Sequence, residues 1–315
     1  MKKKTIAIIH FNTPELTEAC ILSIRKHGCD WPVVVFDNSR EVTWPAGEGM
    51  PERTIEAHPF TRRMKGVKVI DNTKGQQVDF EKALQAFPDK RDPHAAVNGW
   101  GSDCHMMTVE KLWELLPDGF ILVESDILLR ENPAVMWNEK YSFCAYVQKQ
   151  QRGNKFGRGR ILPMLCYFNV PKFRAYGVHY FDPDRSWMLH KGEDNPKNWY
   201  DTGASLLEDV LAQKPNLVGL HVDIRPMVVH LGGGSYKNVS LKGQAEWLTQ
   251  HKDLWEKESR AESRGQRNQG DRSRDSLETS DHGPVPLIPN HATCPPDSDA
   301  ASKPKTTKRK NSKKE

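Results

Sequence analysis

The chain has 315 residues and a formal net charge of +5, but residues 303–315 contain seven Lys or Arg and one acid, so no basic groove across a folded domain is indicated. Its six cysteines show no C-x-x-C pair and no zinc-module spacing, which favours reduced, buried thiols. No apolar run approaches the roughly 20 residues of a membrane span or forms a signal peptide, and we expect a soluble cytoplasmic protein.

The first predicted helix has clear start and stop signals. Apolar and small residues recur at helical spacing between Pro14 and Gly28. Thr13 is a suitable N-cap residue, proline is favoured in the first helical turn, and glycine commonly follows the last turn. The pattern therefore predicts a helix of about three and a half turns.

Runs rich in β-branched residues lie on both sides of this helix. Residues 5–10 predict a first buried strand, and residues 33–36 predict a second. A strand, a helix and a strand within some thirty residues form a βαβ unit, whose parallel strands end at the same edge of a sheet. We therefore expect residues 10–12 and 37–39 to share that edge.

The alternation of strands and helices continues beyond this unit. Residues 40–65 are rich in turns and give no assignment, whereas residues 67–70 predict a third strand. Two helices and a fourth strand are predicted over residues 78–87, 103–116 and 120–123, with Ser102 as a possible N-cap of the second helix. This alternation predicts an α/β fold with a mostly parallel sheet flanked by helices.

The second half of the chain has a mixed pattern. Strands are predicted over residues 142–147, 162–168 and 227–231, and helices over residues 202–213 and 241–257. We expect one folded domain over residues 1–257, with a ligand-binding half up to residue 130 and a mixed half after it.

The last part of the chain has a different composition. All nine Trp and all eleven Phe precede position 256, and no aromatic residue follows Trp255. Residues 258–315 have too little apolar surface to offset the entropy cost of ordering, so a disordered tail is predicted. Its basic end could contact nucleic acid or anionic lipid, or could act only as a solvated tail.

Glu124-Ser125-Asp126, at the end of the fourth predicted strand, is a candidate metal motif. Side chains two residues apart on an extended segment point to the same side, so the two carboxylates can converge. Carboxylates at the carboxyl end of a buried strand lie where open α/β sheets bind ligands, and such oxygen donors favour Mg²⁺ or Mn²⁺ over zinc. The alternative is a strand-to-turn junction with two solvated acids.

His230 and the glycine-rich segment after it, residues 232–235, are a second candidate feature. Neutral imidazole is acceptable to manganese, and glycine amides approach phosphate oxygens closely where a Cβ would clash. The alternative for His230 is a core histidine at a strand end. The segment matches neither the ATP-binding loop nor the dinucleotide-binding loop, so neither of those functions is supported.

Taken together, these segments resemble the family 2 glycosyltransferases and their relatives with the glycosyltransferase A fold. TIAIIHFNTPELTEACILSI and VVVFDNS are similar to the nucleotide-binding start of that family, GFILVESDILL to its strand with an acid-x-acid metal motif, and VVHLGGGS to its late histidine-glycine segment. The resemblance covers about residues 5–236 and lies in the order and spacing of the motifs. It implies transfer of a sugar from a nucleotide-sugar, with a UDP-sugar as the expected donor and Mn²⁺ or Mg²⁺ as the cofactor.

The resemblance also implies roles for individual residues. Asp126 would be the principal metal carboxylate, Glu124 its partner, and His230 would complete the metal shell. The motif here begins with Glu where the family usually has Asp, so Glu124 could reach the metal through water or contact the ribose instead. The residues implied beside the nucleotide are Asp37 and Asn38 at the base or ribose, Thr13 beside them, and Lys237 with the backbone amides of Gly233 and Gly234 at the diphosphate.

An inverting transferase also needs a carboxylate that takes the proton of the acceptor hydroxyl. Asp201 is the favoured candidate because it follows Trp199 and Tyr200, whose rings could stack on a sugar. Asp194 is the second candidate, because its GED segment resembles an acidic pair before the acceptor-side helix of family members. The alternative is that Asp201 only caps the helix predicted from residue 202.

The acceptor remains open at the level of sequence. Residues 141–200 are rich in Trp, Tyr, His and Arg, which fits a carbohydrate, glycoconjugate or nucleic-acid acceptor. One alternative function is a nucleic-acid-directed (modified-base) glycosyltransferase held by its basic tail. Another is a non-catalytic binding protein on a transferase scaffold. Within this region Phe156, Arg158 and Arg160 could form a cationic loop over an anionic ligand, or a solvated turn.

Overall fold

The structure, a computed structural model, describes residues 3–44, 53–80, 93–149, 159–185, 200–231 and 241–256. Several predicted features lie outside the described residues. They are the tail over residues 258–315, most of the helix predicted over residues 78–87, and the candidate residues Phe156, Arg158, Asp194, Gly233, Gly234 and Lys237.

The described part alternates strands and helices in its first half and is strand-rich in its second. The strands are β1 (Ile6–His10), β2 (Val33–Asp37), β3 (Val42–Trp44), β4 (Arg53–Ile55), β5 (Val67–Asp71), β6 (Phe120–Glu124), β7 (Ile127–Leu129), β8 (Phe143–Ala145), β9 (Val147–Gln148), β10 (Arg160–Ile161), β11 (Leu165–Phe168), β12 (Gly219–His221) and β13 (Val228–His230). The α-helices are α1 (Pro14–Lys26), α2 (Pro93–Leu115), α3 (Val170–Arg174), α4 (Ala204–Ala212), α5 (Leu241–Gln250) and α6 (Lys252–Trp255).

Seven strands form the central sheet, in the spatial order β12-β8-β11-β6-β1-β2-β5. Neighbouring strands pair in parallel except at β11, which is antiparallel to both β6 and β8. The predicted α/β fold with a mostly parallel sheet flanked by helices is therefore confirmed. The other strands pair two by two, β3 with β4, β7 with β13 and β9 with β10.

The register of the central strands creates the predicted edge. His10 at the end of β1 pairs with Asp37 at the end of β2, and Ile9 pairs with Glu124 at the end of β6. All three strands are parallel, so their carboxyl ends lie side by side. The βαβ unit predicted for the start of the chain thus brings the segments after His10 and Asp37 next to Glu124.

Both faces of the central strands β1, β2 and β6 are buried, as expected for parallel strands between helices, whereas the edge strand β5 is largely exposed. Along β1, Ala7 packs on the face covered by α2 and α4, whereas Ile6 and Ile8 pack on the face covered by α1. The core residues Trp113 and Phe173 stack with ring centroids 4.7 Å apart. This double covering fixes the sheet and leaves its carboxyl edge for a ligand.

Some predicted boundaries were wrong. Helix α2 begins at Pro93, so Ser102 lies inside it and is not its N-cap. Glycine and serine weaken a helix locally, but burial of the apolar residues from Met106 to Trp113 outweighs that preference. The strand predicted over residues 142–147 is divided into β8 and β9, the strand predicted over residues 162–168 begins only at Leu165, and the terminal helix is divided into α5 and α6.

The structure also bears on the expectations for the cysteines and for membrane-spanning helices. Cys20, Cys29, Cys104, Cys144 and Cys166 are buried free thiols, as expected. Among the helices in the described residues, none has both the length and the apolar character that a membrane crossing requires.

Candidate active site

Glu124, Asp126 and His230 come together at the carboxyl edge of the sheet. Each offers one ligand atom, and these atoms all lie within 4.8 Å of one another. His230 Nε2 is 3.4 Å from Asp126 Oδ2 and 3.9 Å from Glu124 Oε2. Two carboxylates and an imidazole form a donor set that suits Mn²⁺ and is acceptable to Mg²⁺. The described residues therefore fit a divalent metal ion.

A short antiparallel pair of strands carries His230 to the acidic motif. In the pairing of β7 with β13, His230 lies opposite Ile127, the residue after Asp126. The pairing extends past the strand end, because the backbone N–H of Leu231 donates to the carbonyl of Asp126 at 3.1 Å. Ser125 and Asp126 form a turn, so the two carboxylates converge through that turn and not through the extended segment expected from sequence.

The electrostatics of the three side chains show that they affect one another. Burial, and then the charge of Asp126, raises the pKa of Glu124 to about 8. Burial is the largest single influence on His230 and lowers its pKa, but the carboxylates of Asp126 and Glu124 together raise that pKa above its ordinary value. The two carboxylates therefore favour positive charge at this point, either as a proton on the imidazole or as a metal ion.

The cluster opens into a cavity of about 330 Å³. Its walls come from both halves of the domain. The polar and aromatic residues that line it, besides the cluster, include Phe11, Asn38, Arg40, His105, Arg160 and Thr202. This volume is at the lower end of the range for small-molecule sites, roughly 300–1,000 Å³.

The predicted nucleotide residues differ in their relation to this cavity. Asn38 lines it, and its amide donates to Thr108 Oγ1 at 2.9 Å and accepts from Asn72 at 2.9 Å. Asp37 is buried and does not line the cavity, since its carboxylate accepts the backbone N–H groups of Ser39 and Phe60 at 2.9 and 2.8 Å. Asp37 thus shapes the rim, and its contact with a base or ribose stays a prediction.

Thr13 is also buried and does not line the cavity. Helix α1 begins at Pro14 as predicted, but the Thr13 side chain makes no capping hydrogen bond. The rim is instead held by Asn12, whose φ is 53°. Its side-chain oxygen accepts the N–H groups of Arg40 and His58 at 3.2 and 3.1 Å, which joins the segments after β1 and β2 to the segment at residue 58.

Asp201 does not itself line the cavity, but it contacts two residues that do, Arg160 and Thr202. Arg160 Nη1 donates to Asp201 Oδ2, while Ser102 Oγ and the Thr202 N–H donate to Asp201 Oδ1 at 3.0 and 2.7 Å. Arg160 also lines the cavity and donates to Gln148 at 2.8 Å. The second candidate base, Asp194, lies outside the described residues.

Gly203 explains why Asp201 and Arg160 meet. Its φ is +78°, and a Cβ at this position would lie 2.2 Å from the carbonyl oxygen of Ile161, next to Arg160. The N-cap position of α4 is Gly203 and not Asp201, so the helix begins two residues later than predicted. Only glycine allows this close approach between the start of α4 and β10.

Sequence reasoning gave no role to several residues of the cavity wall, among them Arg40, Phe11 and His105. Arg40 lies in a segment that gave no assignment, and its guanidinium lies 5.5 Å from the ring centroid of Phe11, which also lines the cavity. His105 lies within helix α2, and the residues next to it in the sequence are apolar. A histidine between Cys104 and Met106 in such a helix was the one signal that could have identified it.

The sequence matches no protein-family model and no curated protein. Several solved structures are similar to this one. The galactosyltransferase LgtC, solved with donor and acceptor sugar analogues, is 13% identical with a TM-score of 0.43, over 79% of this chain and 94% of that chain. The glycosyltransferase GlyE of Streptococcus pneumoniae TIGR4 is 10% identical with a TM-score of 0.38, over 79% of this chain and 60% of that chain.

The bifunctional glycosyltransferase WbbM is also similar, at 10% identity and a TM-score of 0.33, over 56% of this chain and 33% of that chain. All three TM-scores are below 0.5. The chain is thus similar to solved glycosyltransferases, the class of enzyme that its sequence resembles.

Proposed function

We propose that this protein is a metal-dependent glycosyltransferase that moves a sugar from a nucleoside diphosphate sugar, with a UDP-sugar as the donor. The observation that carries the proposal is the convergence of Glu124, Asp126 and His230 on one point at the mouth of the cavity. Transfer of the sugar leaves a diphosphate with additional negative charge. A bound Mn²⁺ or Mg²⁺ supplies positive charge to that leaving group.

Two arginines of the protein are placed to stabilise the negative charge of the same diphosphate. Arg40 and Arg160 line the cavity on the sides of the β1/β2 rim and of α4, respectively. A guanidinium binds phosphate oxygens through several N–H groups at once and stays charged at all relevant pH values. We assign the diphosphate to the space between the metal cluster and these arginines, with the nucleoside towards Phe11 and Asn38.

Asp201 remains the candidate for the base that takes the proton of the acceptor hydroxyl. Its Oδ1 accepts hydrogen bonds from the Ser102 hydroxyl and the Thr202 N–H, and its Oδ2 accepts from Arg160, so both carboxylate oxygens are already occupied by donors. Asp201 can therefore act as a base only after the Arg160 guanidinium leaves Oδ2. A diphosphate that draws Arg160 towards itself would have this effect.

Binding of the donor tests the proposal directly. Purified protein is titrated calorimetrically with UDP, UDP-glucose, UDP-galactose and UDP-N-acetylglucosamine, each with MnCl₂ and then with EDTA. We expect binding of UDP and of at least one sugar nucleotide with Mn²⁺, and a loss of at least about tenfold in affinity when the metal is removed. Absence of nucleotide binding in both conditions would refute the proposed function.

A further inference from the structure

His105 is a feature of the cavity that the metal cluster does not explain. It lies on α2 (Pro93–Leu115) and lines the cavity. Both ring nitrogens are buried, and within the described residues neither has a hydrogen-bond partner. Buried polar atoms in proteins are nearly always paired, so an unpaired imidazole facing a cavity indicates a partner that enters with the ligand.

The contrast with His10 shows what a structural histidine looks like in this fold. His10 is fully buried, and its two ring nitrogens contact Thr17 Oγ1 at 2.7 Å and the carbonyl of His58 at 3.0 Å. Both polar atoms of His10 are therefore satisfied within the protein. A histidine kept in a helix for packing alone could be replaced by an apolar residue without the cost of two unpaired nitrogens.

The position of His105 indicates which part of the ligand it meets. The two charged groups that act on its pKa are Asp201 and Asp126. His105 also lines the same cavity as Asp126 of the metal cluster and Arg160, the partner of Asp201. In a transferase the diphosphate lies at the metal and the acceptor lies at the base, so the transferred sugar occupies the space between them.

The protonation state of His105 suits a hydroxylated ligand. Burial lowers its pKa to about 4, and the two carboxylates oppose this effect only in part. The neutral imidazole has one N–H donor and one acceptor nitrogen. A sugar hydroxyl is both a donor and an acceptor, so it can pair with either nitrogen, whereas a phosphate oxygen would pair with only one.

We propose that His105 is a specificity-determining residue that hydrogen-bonds hydroxyl groups of the transferred sugar. This inference rests on the proposed function, because it takes the ligand to be a sugar nucleotide. It differs from metal binding, since His105 is not part of the cluster of ligand atoms within 4.8 Å. The side of the cavity formed by α2 would thus recognise the sugar, whereas the acidic motif would bind the metal.

The experiment compares UDP, which lacks the sugar, with UDP-sugars. The titrations use MnCl₂ with UDP and with UDP-glucose, UDP-galactose and UDP-N-acetylglucosamine. The proteins are the wild type, His105→Leu, His105→Gln and the control His179→Leu. His179 is 68% exposed and pairs with Glu110 away from the cavity, so its substitution makes the same chemical change outside the site.

We expect His105→Leu to bind UDP within about twofold of the wild type. Its affinity for the best UDP-sugar should fall about tenfold, the size of one or two lost hydrogen bonds. His105→Gln should recover part of this loss, because the amide also donates and accepts. His179→Leu should match the wild type with every ligand.

Thermal unfolding without ligand provides the readout that separates a ligand contact from a structural role. His105→Leu removes unpaired buried nitrogens, so its Tm should equal or exceed that of the wild type. A lower Tm together with equal losses for UDP and UDP-sugars would overturn the proposal.

The two proposals fail in different ways. If the wild type binds UDP and UDP-sugars and His105→Leu binds all of them equally well, only the role of His105 is refuted. If the wild type binds none of these nucleotides, both are refuted.

Discussion

The Nε2 atom of His230 lies 3.4 Å from Oδ2 of Asp126, although the two residues come from opposite halves of the domain. The antiparallel pairing of β7 with β13 produces this contact. The contact places an imidazole nitrogen and a carboxylate oxygen where both could bind one divalent cation.

The first prediction concerns Asp126→Asn, which keeps the size of the side chain and removes its charge. We expect the affinity for Mn²⁺ in the presence of UDP to fall at least about tenfold, because a neutral amide is a much weaker ligand than a carboxylate. Isothermal titration calorimetry measures this directly. The matched control is Asp118→Asn, an exposed aspartate at the opposite end of β6, which should bind Mn²⁺ like the wild type. Unchanged Mn²⁺ affinity in Asp126→Asn would contradict the metal assignment.

The second prediction separates the roles of Asp201 and Arg160, with turnover measured as UDP release from the best donor. Asp201→Asn should lower kcat about 100-fold or more and leave the donor affinity close to that of the wild type, as expected for a lost base. Arg160→Leu should mainly weaken donor binding, because it removes a cation from the cavity wall.

A comparable pair outside the cavity provides the control for this experiment. Asp209 on α4 accepts from Arg185 at 2.8 Å, so Asp209→Asn also breaks an Arg–Asp contact. It should leave both kcat and donor affinity unchanged. If Asp201→Asn and Asp209→Asn behave alike, the contact of Asp201 with Arg160 is structural and the base lies elsewhere.

Local sequence patterns were sufficient for the framework of the site. Buried strands, a proline at the first helical turn and a following glycine define β1, α1 and β2, and parallel strands place their ends together without further information. The acidic motif at the end of β6 followed from the same rule. His230 could be assigned only through the family resemblance, because its distance from Asp126 depends on pairing between strands far apart in the chain.

Other features depend on tertiary contacts that no local pattern contains. His58, in the segment after β4, is held by a hydrogen bond from its N–H to the side chain of Asn12, a contact that no hydrophobic period in the sequence indicates. The ion pair of Asp201 with Arg160 requires the approach of Gly203 to Ile161. Likewise, burial of both nitrogens of His105 is a property of the cavity and not of the helix sequence.

The third prediction concerns Gly203→Ala. The new Cβ would lie 2.2 Å from the carbonyl oxygen of Ile161, at a backbone φ of +78°. Strain and overlap together should lower the free energy of unfolding by about 2–4 kcal/mol. Urea denaturation followed by circular dichroism gives this value.

Gly177→Ala provides the control for the overlap at Gly203. Gly177 also has a positive φ, +63°, but nothing lies within 4 Å of the added Cβ, so only the backbone cost of about 1–2 kcal/mol remains. Equal effects of the two substitutions would show that the approach of Gly203 to Ile161 is looser than described.

The last prediction concerns the dependence of stability on pH through His10. Burial is the largest influence on this residue and lowers its pKa, against the smaller opposing effects of Asp37, the His58 carbonyl and Glu15. The carbonyl of His58 can only accept, so Nε2 carries the proton and Nδ1 accepts from the hydroxyl of Thr17. A second proton on Nδ1 would reverse the latter hydrogen bond, so that the hydroxyl of Thr17 accepts, and would place a positive charge in a buried site.

The sign of the effect follows from linkage. The unfolded chain binds a proton at His10 near pH 6.5, whereas the folded protein binds it only at lower pH. The stabilising contribution of neutral His10 is therefore complete above about pH 6.5 and decreases as the pH falls from there towards the folded pKa. Urea denaturation at pH 7.5 and pH 5.5 should show a larger loss of stability for the wild type than for His10→Gln. His10→Gln should be less stable at pH 7.5, because its amide cannot reach both Thr17 and the His58 carbonyl. Its free energy of unfolding should also change less between the two pH values. The exposed His179→Gln should keep the wild-type slope, and an equal slope in His10→Gln would refute the assignment of acid sensitivity to His10.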